Sequence, residues 1–403
     1  MTNQQIEKLA NQFETPLYVF DISVLKARVA ALRNALPQGV NLCFAVKANT
    51  FIIRELVQVI DRLELCSPGE AEICERLSVP AQKMVISGVN KTPAFIEDLV
   101  SKKQDVGVYT VESMAQFHLL YTLAQKYGVR LPILLRLTSG NQFGLNEDEI
   151  FSIIKTYQNA PELDFKGIQY FSGTQKQSLK RLTRELNYLD EFLLKLQNEY
   201  GFTAEELEFG PGLPVAYFLA ENYDETEFLK GFSTLLNDMQ FKAQITLELG
   251  RSIAASCGTY LTRVVDVKRN KCENYAILDG GIHHLVYYGQ TMAMKIPHFK
   301  KLLPEREDGE LQNWNLCGSL CTINDILVKQ LPVRTLQPGD LFAFENTGAY
   351  CMTEGISLFL SRALPSVVLL KDGEPLLVRK ALETNLINMP NYESEENENG
   401  KTV

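Results

Sequence analysis

The chain has 403 residues, 45% hydrophobic and 22% charged, with 40 basic against 49 acidic side chains and so a formal net charge of −9. That length exceeds one ordinary core and favours two domains. The negative balance offers no basic footprint for nucleic acid.

The opening MTNQQIEKLANQFETP is polar and lacks the apolar core of a secretory signal. No run of about 18 apolar residues follows that could span a membrane. The eight cysteines are scattered, several of them, such as Cys43 and Cys66, inside apolar runs. A cytoplasmic location with reduced thiols is the expectation. Cys317 and Cys321 come nearest to a zinc spacing, but no ligand-spaced histidines flank them.

Between residues 40 and 250, strand-like runs alternate with helical patterns. The runs are VNLCFAV at 40, RLELCS at 62, KMVISG at 83, DVGVYT at 105, LPILLRL at 131, FKGIQYF at 165, ELEFG at 206 and AQITLEL at 243. Helical periodicity between them is clearest in Leu182, Leu186, Leu189, Leu193 and Leu196. This pattern predicts a (β/α)8 barrel, with an open α/β sheet as the alternative. Barrel chemistry sits at the C-terminal ends of the strands, where Lys47, Ser67, Gly173, Gly210 and Glu248 fall. After residue 255 come β-branched runs broken by turn signals: GTYLTRVVDVKR, NYAILDGG, DILVKQLPV, DLFAFENTG and SVVLLKDGEPLLVRK. They predict a second, mostly antiparallel β domain. The final NYESEENENGKTV is acidic and polar, the composition of a disordered tail.

A lysine at a strand mouth, as in VNLCFAVKANT, usually snorkels to solvent. It is also where a lysine that attacks a carbonyl would stand. Its companions shift the balance. LEFGPGLPV (207–215) puts two glycines after a strand, which suits close backbone approach to a phosphate or simply a tight turn. FSGTQ (171–175) and LELGRS (247–252) add polar loops after neighbouring strands. Three such loops on adjacent late strands match the usual barrel phosphate site. A phosphate site with a Schiff-base lysine suggests pyridoxal 5′-phosphate, with Glu248 the carboxylate for its ring nitrogen. A bland Glu248–Arg251 surface ion pair is the competing reading.

The motifs FAVKAN, SPGE, GTQ, ELGRSIAASCG, LDGG, SLCTINDIL and GAY, in that order over residues 14 to about 370, resemble the fold-type III pyridoxal-phosphate decarboxylases of the diaminopimelate, ornithine and arginine type. The resemblance implies an alanine-racemase-like barrel over 21–255, a β domain from 1–20 and 256–385, and a tail over 386–403. TPLYVF at 15–20 is then a strand of the β domain. It implies that Lys47 holds the cofactor covalently and that Glu248 pairs with its ring nitrogen. Gly210, Gly212, Gly250, Arg251, Thr174 and Tyr350 surround its phosphate. It further implies a homodimer with shared active sites, in which Cys321 from the partner subunit returns a proton to the α-carbon after carbon dioxide leaves. Asp325 and Thr322 lie beside the substrate, and His283 with His284 lines its entry or ends a solvated strand.

The chain departs from the family pattern in places. Gly210-Pro211-Gly212-Leu213-Pro214 stands for a glycine-rich GGGxG, and each proline removes a backbone donor. QYFSGTQ stands for HxHxGSQ, so Phe171 takes the place of a histidine that stacks on the cofactor ring. The segment between Arg136 and QFGL is short. Cys321-Thr322-Ile323-Asn324-Asp325 lacks the glutamate of CESGD, which holds the distal ammonium of diaminopimelate. This speaks against that substrate. The LCTxxD form is similar to the secondary-metabolism branch, above all the butirosin-pathway decarboxylase of glutamate tethered to an acyl-carrier protein. The expected reaction is α-decarboxylation of an amino acid or conjugate, as a small molecule or on a carrier protein. A diaminopimelate-type decarboxylase, an amino-acid racemase and a catalytically silent cofactor-binding relative are the alternatives. Racemases of this fold set an arginine where Glu248 stands.

Overall fold

The computed structural model describes residues 1–302 and 310–390. The first strand, β1 (Leu17–Asp21), is followed by eight that close into a barrel: β2 (Asn41–Ala45), β3 (Arg62–Leu65), β4 (Met84–Ile86), β5 (Val108–Val111), β6 (Leu131–Leu137), β7 (Leu163–Phe171), β8 (Glu206–Gly210) and β9 (Gln244–Leu249). All neighbours in the barrel are parallel, and β2 closes it against β9 with Cys43 opposite Glu248. Helices cover its outside. The longest, Leu179–Tyr200, buries the five leucines whose spacing announced it.

Alternation along the strands sends every second side chain inward. Cys43, Val85, Val108 and Leu134 form an apolar plug in the barrel. Further toward the C-terminal ends the interior turns polar, with Glu64, Thr110 and Gln169 buried. The strand sequences therefore close the bottom of the barrel and leave a charged floor under its mouth.

The second domain is built from β10 (Gly258–Asn270), β11 (Glu273–Leu278), β12 (Phe299–Leu302), β13 (Gln312–Cys317), β14 (Ile326–Val333), β15 (Leu341–Glu345), β16 (Ser366–Lys371) and β17 (Glu374–Arg379). The strands run β14-β13-β11-β10-β1-β16-β17, with β15 on β10 and β12 on β15. The sheet is mostly antiparallel, as expected, with β1 parallel to β16 and β11 parallel to β13. Strand β1 enters because its buried LYVF pairs with both β10 and β16.

Some elements were not legible in the sequence. A helix over Asn3–Phe13, closed by a Thr2–Gln5 capping box, lays Ile6, Leu9 and Ala10 on the sheet. Its three apolar positions are too few to stand out in a polar segment. Strands β12 and β13 were also unread. The tail expected from residue 386 is corrected at its start: Asn385–Asn388 form a helical turn, and Asn388 Nδ2 donates to the Leu358 carbonyl and the Ser361 hydroxyl, both at 2.9 Å. Residues 391–403 lie outside the described residues. No described helix is long and apolar enough to cross a membrane.

Candidate active site

Lys47 lies in a single 3-10 turn, Val46–Ala48, directly beyond β2. The turn is tied to the β domain, since Tyr350 N donates to Ala48 O at 2.9 Å and Asn49 Nδ2 to Gly348 O at 2.8 Å. The Lys47 amine points into a cavity of about 480 Å³ at the barrel mouth. Its side chain is 40% exposed because that space is open, while the carboxylates it meets are covered. Nζ donates to Glu64 Oε2 at 2.6 Å, lies 3.7 Å from Glu248 Oε1 and 3.4 Å from Cys66 Sγ. The second oxygen of Glu64 accepts from Cys66 Sγ at 3.2 Å. Glu248 accepts from Gln169 Nε2 at 3.0 Å.

The electrostatics follow from this packing. Burial disfavours the Lys47 cation, but Glu64 and then Glu248 outweigh it and hold its pKa well above the ordinary lysine value. Burial also works against ionised Glu64, which is nonetheless held below the usual range by Lys47. Glu248 takes the opposite course. Burial and then the Glu64 charge push it up to about 7, against the pull of Lys47 and Arg136. Two adjacent carboxylates cannot both ionise freely, so Glu64 carries the charge and Glu248 holds a proton up to neutral pH. Beneath them Glu208 is fully buried, and neither of its oxygens has a partner among the described residues. Burial first, and then the neighbouring carboxyls, hold its pKa well above the usual carboxylate range.

At the other end of the cavity stands Arg251, its side chain 6% exposed. Its guanidinium lies against the Tyr350 ring, and Nη1 donates to the Tyr217 hydroxyl at 3.0 Å. Its buried Nε has no partner among the described residues. Glycine is required at two places here. A Cβ on Gly250 would meet the Tyr350 hydroxyl at 2.7 Å, and one on Gly212, whose φ is +63°, would meet the Gly173 carbonyl at 2.1 Å. The loops after β7 and β8 are stitched together despite Pro211 and Pro214. Gln175 exchanges two bonds with the Val215 backbone, at 2.7 and 3.0 Å, and Lys176 N donates to Gly212 O at 2.9 Å. A buried Lys176–Glu185 pair at 2.6 Å braces them from behind.

One cavity therefore gathers Lys47, Phe171, Thr174, Gly212, Glu248, Gly250, Arg251 and Tyr350. Gly210 lies under the Phe171 ring, where a Cβ would come within 2.5 Å of it. These residues fit pyridoxal 5′-phosphate. They supply an amine for its aldehyde and a carboxyl for its ring nitrogen. An orphaned arginine Nε, with the Thr174 and Tyr350 hydroxyls and a cramped glycine loop, could receive its phosphate. Among the described residues no cluster of histidine, cysteine or carboxylate side chains could hold a metal.

Gly210 does not line this cavity, and neither do Cys321, Thr322, Asp325 and His283. Cys321 is exposed on the turn after β13 and Thr322 is half-buried beside it. Asp325, expected beside the substrate, is buried and spends both carboxylate oxygens on backbone amides, accepting from Ile282 N and Leu320 N at 2.8 Å each. It pins the turn that presents Cys321. His283 is neither an entry residue nor a solvated strand end. It is 1% exposed, its ring centroid lies 3.7 Å from that of His284, and neither ring nitrogen has a partner among the described residues. The Glu248–Arg251 surface ion pair is likewise replaced by separate partners for each residue.

Sequence reasoning missed Glu64, Cys66, Gln169 and the buried Glu112–Arg136 pair, joined at 2.7 Å. The signal was present. Arg62, Glu64 and Cys66 alternate along one strand, so all three face the same way as the barrel interior.

Comparison with known proteins agrees with this fold. A family model described as pyridoxal-dependent decarboxylase, C-terminal sheet domain, matches residues 17–348. The chain is 26% identical over 407 aligned residues to the L-glutamyl-[BtrI acyl-carrier protein] decarboxylase of Niallia circulans, covering 93% of each chain. It is 28% identical over 394 residues to the diaminopimelate decarboxylase of Vibrio cholerae, covering 93% of this chain and 92% of that one. The crystal structure of diaminopimelate decarboxylase from M. jannaschi superposes with a TM-score of 0.83 at 22% identity, over 96% of this chain and 94% of the other, a likeness of fold.

Proposed function

The chain belongs to the pyridoxal-dependent decarboxylases, and on that premise we propose that it removes the α-carboxylate of an amino acid or amino-acid conjugate with pyridoxal 5′-phosphate. The observation that carries this reading is the Lys47–Glu64–Glu248 cluster, with Nζ at 2.6 and 3.7 Å from the two carboxyls, facing Arg251 and Tyr350 across one cavity.

The bound cofactor would draw electrons from the substrate's α-carbon. The chain's residues do the rest. Lys47 supplies the amine that would tether the cofactor, and Glu64, accepting from Nζ at 2.6 Å, orients it. Glu248 would pair with the ring nitrogen as a carboxylate and so keep that nitrogen protonated. Arg251, Thr174, Tyr350 and the Gly212 backbone would hold the phosphate, and Phe171 would supply an aromatic surface for the ring. A carboxylate rather than an arginine at the ring nitrogen favours decarboxylation over racemisation.

The proton donor to the α-carbon is Cys321 of a second copy, so the working unit is a homodimer. Two features support this. Cys321 stands exposed beside Ile323, which is 84% exposed and so an apolar side chain with nothing covering it. Leu358, Phe359, Leu386 and Ile387 add exposed apolar surface in the same domain. The substrate is a conjugate, carrier-bound in the manner that the Niallia circulans relative's name describes. The turn Cys321-Thr322-Ile323-Asn324-Asp325 has no free carboxylate for a distal ammonium, because Asp325 is consumed by the backbone.

Absorbance tests the tether first. The protein should show a visible band that borohydride abolishes, with the reduced label on Lys47. Mixed Lys47→Ala and Cys321→Ala subunits, each inactive alone, should regain part of their carbon dioxide release. A colourless protein that takes up no pyridoxal phosphate would leave a silent relative as the reading.

A further inference from the structure

Arg251 is already engaged for a residue that must receive a phosphate. Its guanidinium is caged by Tyr217, Tyr288 and Tyr350, with ring centroids 5.7, 4.9 and 4.5 Å from Cζ. One face of the cage is closed by a carboxylate: Nη2 stands 3.9 Å from Glu354 Oε1. Glu354 lies on the turn that follows Tyr350, to whose carbonyl its amide donates at 3.0 Å, and it lines the same cavity.

The two partners differ in freedom. The arginine side chain is 6% exposed and that of Glu354 is 41% exposed. The cage positions the guanidinium without Glu354, and at 3.9 Å the carboxylate makes a Coulomb contact, not a bidentate hydrogen-bonded one. Its backbone is anchored, so rotation about its own side-chain bonds is enough to withdraw it. An anion held this way beside a buried cation is replaceable by a better anion.

Resting on the cofactor reading above, we infer that Glu354 is a displaceable stand-in for the cofactor's phosphate ester. It neutralises Arg251 in the cofactor-free chain and gives way when the phosphate arrives. It thereby lowers cofactor affinity and eases exchange. Glu354 is a positioning residue, and it acts only through Arg251.

The test is a titration of cofactor-free wild type and Glu354→Gln with pyridoxal 5′-phosphate and with pyridoxal, which lacks the phosphate, followed by chromophore absorbance and by calorimetry. Removal of one partly exposed competitor should tighten pyridoxal phosphate binding by about two- to fivefold. Pyridoxal affinity should not move, and the gain should shrink as salt is raised. In an Arg251→Gln background the gain should vanish. An equal gain with pyridoxal, or pyridoxal phosphate affinity that is unchanged or weaker in Glu354→Gln, would overturn this inference alone. A wild type that takes up no pyridoxal phosphate would overturn the cofactor reading, and this inference with it.

Discussion

Replacing Glu64 by glutamine should release the Lys47 proton at lower pH and weaken the fold slightly. The two carboxyls lie 2.6 and 3.7 Å from Nζ. A pair at about 4 Å is worth roughly 4 kcal/mol at the effective dielectric of a protein surface, but Lys47 is 40% exposed, so screening removes most of that. Compensation removes more. Without the Glu64 charge, Glu248 loses the neighbour that helps hold its pKa at about 7. It then ionises at neutral pH and takes over part of the pairing. The Lys47 pKa should therefore fall back toward the ordinary lysine value, but by less than the bare Coulomb attraction implies. The sign also fixes the stability profile. The Lys47 pKa is raised in the folded chain, so its contribution is whole below the ordinary value of 10.5 and is lost as pH rises through the folded pKa. Glu64→Gln should therefore cost about 1 kcal/mol at neutral pH and flatten the alkaline loss. The assay is the pH dependence of Lys47 modification by an amine-selective reagent, read by peptide mass spectrometry on cofactor-free protein. A profile that does not move would refute the claim that Glu64 sets the protonation of this amine.

Gly212→Ala would force a Cβ to within 2.1 Å of the Gly173 carbonyl at a φ of +63°. It should cost about 1–2 kcal/mol for the backbone alone, and pyridoxal phosphate affinity should fall at least about tenfold; equilibrium titration of the cofactor checks it. Arg136→Met strands Glu112, whose side chain is 2% exposed, and should destabilise by about 3–5 kcal/mol in chemical denaturation. A loss below about 1 kcal/mol would mean that water reaches the carboxylate. Burial holds His283 down to about 3 and His284 to about 4, so the unfolded chain takes up protons first, from the ordinary value of 6.5. Their contribution is whole above 6.5 and is lost as pH falls below it, continuing down to those folded values. His283→Leu should reduce the acid slope of Tm and cost little at neutral pH, because neither ring nitrogen has a partner among the described residues; an unchanged slope would count against this account.

The architecture was legible for a local reason. Period-two and period-3.6 patterns are properties of neighbouring residues, and all eight barrel runs and the 22-residue helix appear where those patterns lie. The motif at Lys47 was equally readable, since a strand end places it at the mouth. The parallel pairings within the β sheet were not. Strand β1 joins β10 and β16 across more than 200 residues, and no local pattern encodes a parallel partner that distant.

Within the site, the sequence by itself determined the residue types and their order: a lysine, a late carboxylate, glycine loops and a following arginine. Only the tertiary structure decided what each group experiences. It set Glu64 against Lys47 and so made Glu248 the proton holder. It turned Asp325 inward onto the backbone and buried His283 against His284. It also stood Glu354 before Arg251. Charge and burial depend on distances between chain segments far apart in sequence, and at ranges of 3 to 4 Å a small shift in packing changes which carboxyl is ionised.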